Sequence, residues 1–379
     1  MTGRAGQSRY DKAHVLHVVS MFDGVGGVEL LLTRLIGWMK ERGIRHSIAC
    51  LRGEAQLAAQ FDESVQVLRL RSRANDIRLP WRLVRLLRRV RPTVISAWNW
   101  YAWPDVALAR LAAIPRAPLI FNFHGLDYAG KMPLRRRVAC RVLAEITTRI
   151  LTVTDASRAL LASATGIPAR RVRVIPNGVD THCFTPHEGR PQQCQTLVVG
   201  TVGSLKPIKN QSLLIRAVAE LASNGIDVRL LIAGSGPDAP HLAELSRELC
   251  ADGFVQLVGR QDDVPAFLRR LDVFVLPSDT EAHPMSLLEA MACGLPCVAT
   301  RVGGVEDVLA GGRAGLLIEP RDQPALVGAL AALTERPELR AELGAAARRR
   351  VCQEYSKDRM VDAYVTMYRD LSRNPVPRY

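Results

Sequence analysis

The feature that most constrains this chain is an alternation that runs its course and then starts again. "HVLHVVSMF" reads as a strand, "DGVGG" as a turn, and "VELLLTRLIGWMKERG" as an amphipathic helix closed by Gly43. "HSIACL", "TVISAW", "PLIFNFHG", "RILTVT" and "VRVIPNGVD" continue the strands, with the basic helix "PWRLVRLLRRVRP" among them. After a polar, proline-containing stretch at 184–195 the pattern restarts. "TLVVGTVGS" is a strand and "QSLLIRAVAELASNG" a helix, and strand and helix then alternate through "VRLLIAGSG", "VQLVG", "DVFVLPS" and "PCVAT". Short apolar strands joined through helices cannot pair as hairpins; they make a parallel sheet covered on both faces. The prediction is α/β, two Rossmann-like doubly wound domains facing a cleft. The boundaries drawn are 1–186 for the first domain and 187–352 for the second. A C-terminal helix at 353–379 is expected to pack back on the first domain through the stripe Met360, Tyr364, Met367, Tyr368 and Leu371.

The totals agree. The chain's 379 residues suit two domains, and 48% hydrophobic content supplies two cores. No apolar run approaches the ~18 residues of a membrane span. The N-terminus lacks a signal peptide's apolar core, so a cytoplasmic protein is expected. The eight cysteines include no C-x-x-C pair, and free buried thiols are expected. Charge is split unevenly. Residues 1–186 carry 29 Lys+Arg against 13 Asp+Glu, net +16; residues 187–379 carry 22 against 24, net −2. The basic character belongs to the first half, which is expected to meet something anionic.

In doubly wound sheets ligands sit at the carboxyl ends of strands. There the stretch "TEAHPMSLLEAMACGLPCVAT" (280–300) carries two acids, Glu281 and Glu289. Pro284 suits a helix start, which places Glu281 in the loop before the helix and Glu289 more than a turn inside it. Between them the backbone N–H groups of His283, Met285, Ser286 and Leu287 are available to an anion. Carboxylates accept hydrogen bonds from hydroxyls rather than ligating phosphate. A phosphate flanked by two sets of sugar hydroxyls describes a nucleoside diphosphate sugar, with ribose on Glu289 and the transferred sugar on Glu281. From spacing alone, a capped helix with Glu289 on its wet face stays open.

The same stretch resembles the E-x7-E signature of the retaining family-4 glycosyltransferases, which have the GT-B fold. "VIPNGVD" (174–180), "VGSLKPIKN" (202–210), "LLIAGSGPDAPHLAEL" (230–245), "DVFVLPS" (272–278) and "VGGVEDVLAGGRAGLLIEP" (302–320) resemble other segments of that family, in family order. The resemblance implies catalytic roles for His124, Glu281 and Lys209. Lys209, after the Gly203 turn, would neutralise the leaving diphosphate. Gly203 and Ser204 would also face the donor, although Ser204 stands where the family often has arginine; Lys206 is a candidate stand-in. Gly26 and Gly27 would lie beside the diphosphate or acceptor, with a plain tight turn as the alternative. Their spacing is not G-x-G-x-x-G, which makes an NAD site a weak reading. His124 would reach the donor sugar, with a satisfied core histidine as the alternative, and Asp127 would orient His124 or contact the acceptor. His283, at a position where many relatives carry other residues, is a further candidate for contact with the donor sugar. Asp307 matches the family's acid after Gly-Gly, with packing an equal alternative, and Asn177 and Gly178 are expected to shape a turn. No D-x-D or metal-ligand spacing occurs, so neither a metal nor another cofactor is expected.

Arg82, Arg85 and Arg89 are expected on one helix face, and "RRRVACR" (135–141) adds a second basic helix. An anionic membrane surface and a glycan or lipid-linked acceptor are the expected partners. Nucleic acid is not, since no motif for it occurs and aromatic residues are 5%. The expected activity is transfer of a UDP- or GDP-linked sugar to an acceptor hydroxyl with retention, in cell-surface polysaccharide or glycolipid synthesis. A nucleotide-sugar epimerase of the same fold and an inactive membrane-adhesive protein are the rivals.

Overall fold

The structure, a computed structural model, describes residues 13–24, 26–73, 76–114, 116–125, 132–187 and 196–373. The described residues divide into two units. One runs to Pro176 and resumes at Met360; the other runs from Asn177 to Arg359.

The first unit carries β1 (His14–Val19), α1 (Gly27–Trp38), β2 (Arg45–Cys50), β3 (Gln66–Arg69), α2 (Leu79–Val90) and β4 (Val94–Trp98). It continues with α3 (Trp103–Ala112), β5 (Leu119–Phe123), α4 (Leu134–Glu145), β6 (Arg149–Thr152), α5 (Asp155–Thr165) and β7 (Val172–Val174). Its seven strands are all parallel, in the order β3-β2-β1-β4-β5-β6-β7. β1, β4 and β5 are buried along their whole length, as a sheet covered on both faces requires. α2, α3 and α4 pack on one face through Leu83, Leu87, Trp103, Val106 and Cys140, and Trp103 stacks on Phe121 at 4.1 Å.

Three local features differ from the sequence reading. β3 is an edge strand with no fully buried residue, so it shows no apolar period to read. α1 ends at Trp38, and a 3-10 turn at Lys40–Arg42 leads to Gly43. Arg82 lies on the same face of α2 as Arg85 and Arg89, but it is half-buried and turns to the Leu70 carbonyl and to Asp76. The exposed arginines of α2 are Arg85, Arg88 and Arg89.

The second unit carries β8 (Leu197–Val202), α6 (Gln211–Ser223), β9 (Val228–Ala233), α7 (Ala239–Glu248), β10 (Val255–Gly259) and α8 (Val264–Leu268). Then come β11 (Val273–Leu276), α9 (Met285–Ala292), β12 (Cys297–Thr300), α10 (Val305–Val308), β13 (Leu316–Ile318), α11 (Gln323–Glu335) and α12 (Pro337–Glu354). Its parallel sheet is ordered β10-β9-β8-β11-β12-β13.

The units part before Asn177, upstream of the 186/187 division drawn from composition. The reason is local pairing. Val179 N–H donates to the Tyr355 carbonyl, Lys357 N–H donates to the Val179 carbonyl, and Phe184 enters the second core. Residues 188–195 of the expected linker lie outside the described residues. The last helix, α13 (Lys357–Arg373), enters the first unit from Met360. There Tyr364 and Tyr368 are buried, the Tyr364 hydroxyl donates to Asn122 Oδ1 at 3.4 Å, and Ser372 meets Thr93 at 2.9 Å. Among the described cysteines Cys50, Cys140, Cys293 and Cys297 are buried as expected. Cys183, Cys250 and Cys352 are exposed, each at the edge of a turn or helix rather than in a core.

Candidate active site

Strand order reverses between β8 and β11 in the second sheet, and between β1 and β4 in the first. The crevice outside such a reversal is where this architecture can take a ligand, because the two flanking loops leave in opposite directions. In the second unit those loops are 203–210, after β8, and 277–284, after β11. They are bound to each other: Asp279 N–H donates to the Ile208 carbonyl at 2.9 Å, and Asn210 Nδ2 to Asp279 Oδ1 at 3.2 Å. Lys209 Nζ donates to Glu281 Oε1 at 2.5 Å, and Ser278 Oγ donates to the same oxygen at 2.8 Å. The Glu281 side chain is 9% exposed and that of Lys209 27%, so the pair is largely shielded from water. Two of the residues expected to act together are thus in contact across 72 positions of sequence. Ser278, fully buried at the strand end, fixes the acid's orientation. Arg321 holds the far side of Asp279 at 2.7 Å.

Glu281 is held from below as well. Gly303, at φ +52, lies so close that a Cβ there would stand 1.7 Å from the Glu281 carbonyl oxygen. The loop of Gly203 and Ser204 is backed the same way: a Cβ on Gly236 would fall 2.1 Å from the Leu205 carbonyl oxygen. A Cβ on Gly203 itself would meet nothing within 4 Å, so the space on that side of it is open, while its N–H donates to the Ala233 carbonyl at 3.0 Å. The Ser204 carbonyl accepts from Gln211 Nε2, its side chain is half-buried and brings no charge, and Lys206 is exposed.

α9 starts after Pro284 with no side chain capping it. Met285 and Ser286 are half-buried, whereas the Leu287 side chain is wholly in the core, so Leu287 can offer a ligand only its backbone. Glu289, 5% exposed, is not on a wet face. His283 is also 5% exposed; its ring packs edge-on against Tyr355 at 5.2 Å, and Asn177 Nδ2 holds its carbonyl at 3.0 Å. Asp307 is exposed on the one-turn α10, whose carbonyls at 307 and 308 accept from Arg350.

In the first unit Gly26 is the N-cap of α1 and Gly27 its first residue, in a loop closed by Glu29 Oε2 accepting from Gly24 N–H at 2.8 Å. A Cβ on Gly27 would meet nothing within 4 Å. His124, half-buried directly after β5, stacks on Trp98 at 5.3 Å and 12°. Trp98 stacks in turn on Tyr364 and donates its indole N–H to His17 Nδ1 at 3.2 Å, and His17 meets His46 at 3.0 Å. Burial pushes His124 down to about 4, so at neutral pH it is an uncharged imidazole with one N–H to give. Asp127 lies outside the described residues. Ser278, Asp279, Gly303 and Trp98 were not singled out from sequence. Each acts by supporting a neighbour, and the only trace was that three of them fall inside or beside the quoted family segments.

Residues 25–182 match the family model "Glycosyltransferase Family 4", and residues 190–350 match "Glycosyl transferases group 1". Over 173 residues the chain is 32% identical to the N-acetyl-alpha-D-glucosaminyl L-malate synthase of Bacillus anthracis, covering 46% of this chain and 45% of that protein. It is 34% identical over 221 residues to the D-inositol 3-phosphate glycosyltransferase of Salinispora arenicola, covering 52% and 49%. The chain therefore aligns with about half the length of these two curated relatives. Anabaena Alr3699/HepE, solved in complex with UDP, superposes with a TM-score of 0.81 over 94% of this chain and 99% of its own, at 20% identity. At that identity the likeness establishes the fold.

Proposed function

This chain belongs to the glycosyltransferase family that those two models describe, with the GT-B fold, and on that premise we propose that it transfers a sugar from a nucleotide donor to an acceptor hydroxyl. The observation that carries the proposal is the Lys209–Glu281–Ser278 contact at the strand-order reversal, beside the uncapped start of α9. A diphosphate on the first-turn amides of α9 would draw Lys209 from Glu281, leaving the carboxylate to accept from hydroxyls of the transferred sugar. Lys209 and the amides would then neutralise charge as it builds on the leaving group, with no divalent ion needed. Glu289 would take the ribose. The neutral His124 would donate one hydrogen bond to the sugar. Departing phosphate would accept the acceptor's proton on the same face, with retention.

UDP and GDP are the proposed carriers; the UDP bound to the structural relative supports the first. The basic first half supports a glycan or lipid-linked acceptor in cell-surface polysaccharide or glycolipid synthesis, with the work done in the cytoplasm at an anionic membrane face. No helix among the described residues is long and apolar enough to cross a membrane. The test is a thermal-shift panel of nucleotide sugars, followed by product analysis with the stabilising donor. Release of free nucleotide that depends on acceptor supports transfer. Conversion of donor without acceptor would instead establish an epimerase, and no heat with any nucleotide sugar in calorimetry would remove the enzyme reading.

A further inference from the structure

The outer surface of α2, α3 and α4 joins two properties that rarely share one face. The helices form a continuous layer on the first sheet: Arg88 Nη2 donates to the Ala112 carbonyl at the end of α3, and Arg110 Nη1 donates to the Ile146 carbonyl just past α4. Large apolar side chains protrude from all three helices. Trp81 is 69% exposed on α2, and Ile114 is 76% exposed just past α3. On α4, Leu134, Val138 and Val142 are exposed at successive intervals of four, so they form one stripe along the helix. In the second unit, by contrast, Ile208 alone among the described residues is an exposed large apolar side chain.

Arginines stand between these apolar groups. α2 carries four and no acid, and α4 carries four with Glu145 as its one acid. Arg85, Arg88 and Arg89 are exposed and have no acidic partner among the described residues. Where α2 and α3 end, Leu87, Arg88, Arg91, Ile95, Arg110 and Ile114 line a pocket. Arg110 is 6% exposed, yet it gives its Nε and Nη1 only to the carbonyls of Ala117 and Ile146. A guanidinium buried with carbonyls as its partners keeps its whole positive charge in a poorly solvated place, and an incoming anion offsets that cost.

We propose that this layer is a docking face for an anionic phospholipid bilayer, with a headgroup phosphate seated between Arg88, Arg91 and Arg110 and with Trp81 and Ile114 entering the acyl boundary. One-signed charge selects the surface, and protruding apolar groups distinguish a bilayer from a polyanion, which offers nothing for them to enter. The inference rests on the membrane reading of the proposed function and gives it a surface, but it does not depend on the transfer chemistry and is tested without donor.

The experiment is flotation of the full chain with phosphatidylcholine vesicles, with and without phosphatidylglycerol, at low and high salt. Wild type floats with the anionic vesicles and stays behind with the neutral ones. The double variant Arg88→Gln/Arg91→Gln loses about 25-fold in partitioning at low salt, about fivefold for each basic residue at the surface. Trp81→Ser/Ile114→Ser keeps low-salt binding but loses the salt-resistant part. Arg229→Gln, an exposed change on β9, floats like wild type. Thermal melting of each variant establishes that it is folded. Equal flotation with neutral vesicles, unchanged flotation of both double variants, or binding to RNA or heparin with none to vesicles would each overturn the proposal.

Discussion

Gly303→Ala tests whether the support beneath Glu281 matters to the reaction. The added Cβ would stand 1.7 Å from the Glu281 carbonyl oxygen, where real Cβ contacts essentially never fall below 3.0 Å, so one backbone or the other must move by more than 1 Å. Two costs follow. Holding alanine at φ +52 costs about 1–2 kcal/mol, and forcing the loop aside adds roughly 1–3 kcal/mol. A displacement of that size at a positioning group lowers turnover by about 10²-fold. Gly311→Ala separates the two effects. Gly311 has φ +66, but a Cβ there meets nothing within 4 Å, so the variant bears the backbone cost alone. Thermal melting should place Gly303→Ala several degrees below Gly311→Ala, at roughly 2–4 °C per kcal/mol. Steady-state turnover with the identified donor should fall about 100-fold in Gly303→Ala and stay near wild type in Gly311→Ala. A folded Gly303→Ala with wild-type turnover would refute the view that this contact sets the position of Glu281.

Glu289→Ala should weaken donor binding in calorimetry by about tenfold or more, as expected for losing a charged hydrogen-bond acceptor, whereas Glu281→Ala should lower kcat more than affinity; unchanged kinetics in both would remove the site. Lys209→Ala should cost about 10²–10³ in kcat if it meets developing phosphate charge, and a loss confined to KM would contradict that role. Ser204→Arg should tighten donor binding by about tenfold by adding a charged donor beside Gly203, and calorimetry showing no gain would place that side chain away from the diphosphate. Burial holds His14, His46 and His124 each down to about 4, against an ordinary value near 6.5, and also pushes His17 well down. Between those values the unfolded chain binds more protons than the folded one. Their stabilisation is therefore complete above about pH 6.5 and is lost as pH falls towards 4. All five tryptophans, from Trp38 to Trp103, lie in the first unit, so indole emission reads that unit alone. Its denaturant midpoint should drop across that window, and a midpoint that holds steady from pH 7 to 4 would contradict the assignment.

The alternation of apolar strands and amphipathic helices was legible because period and turn chemistry are local. So was the place of Glu281 before α9 and of Glu289 within it, since a proline, a helix-forming run and a closing glycine bracket that helix. What escaped depended on contacts between distant residues. Nothing near Lys209 says that its amine meets Glu281, or that Gly303 lies under the same loop. Strand order alone creates those meetings. The unit boundary was hidden for a like reason: composition changes near 187, but Val179 is paired to the backbone flanking Ser356. Arg82 shows the limit of helical spacing, which gives the face it shares with Arg85 and Arg89 but not where the chain before the helix will pass. Here that chain brought the Leu70 carbonyl and Asp76 within reach.

The path of α13 has a consequence for synthesis. Tyr364 and Tyr368 complete the interior of a unit whose strands are all made long before them. Everything from Asn177 to Arg359 must leave the ribosome first, which at ordinary elongation speed takes roughly ten to forty seconds. Throughout that interval the nascent amino-terminal half waits with Asn122 and the indole of Trp98 uncovered. Stop codons or tags placed near the carboxyl terminus should therefore harm the beginning of the chain rather than its end.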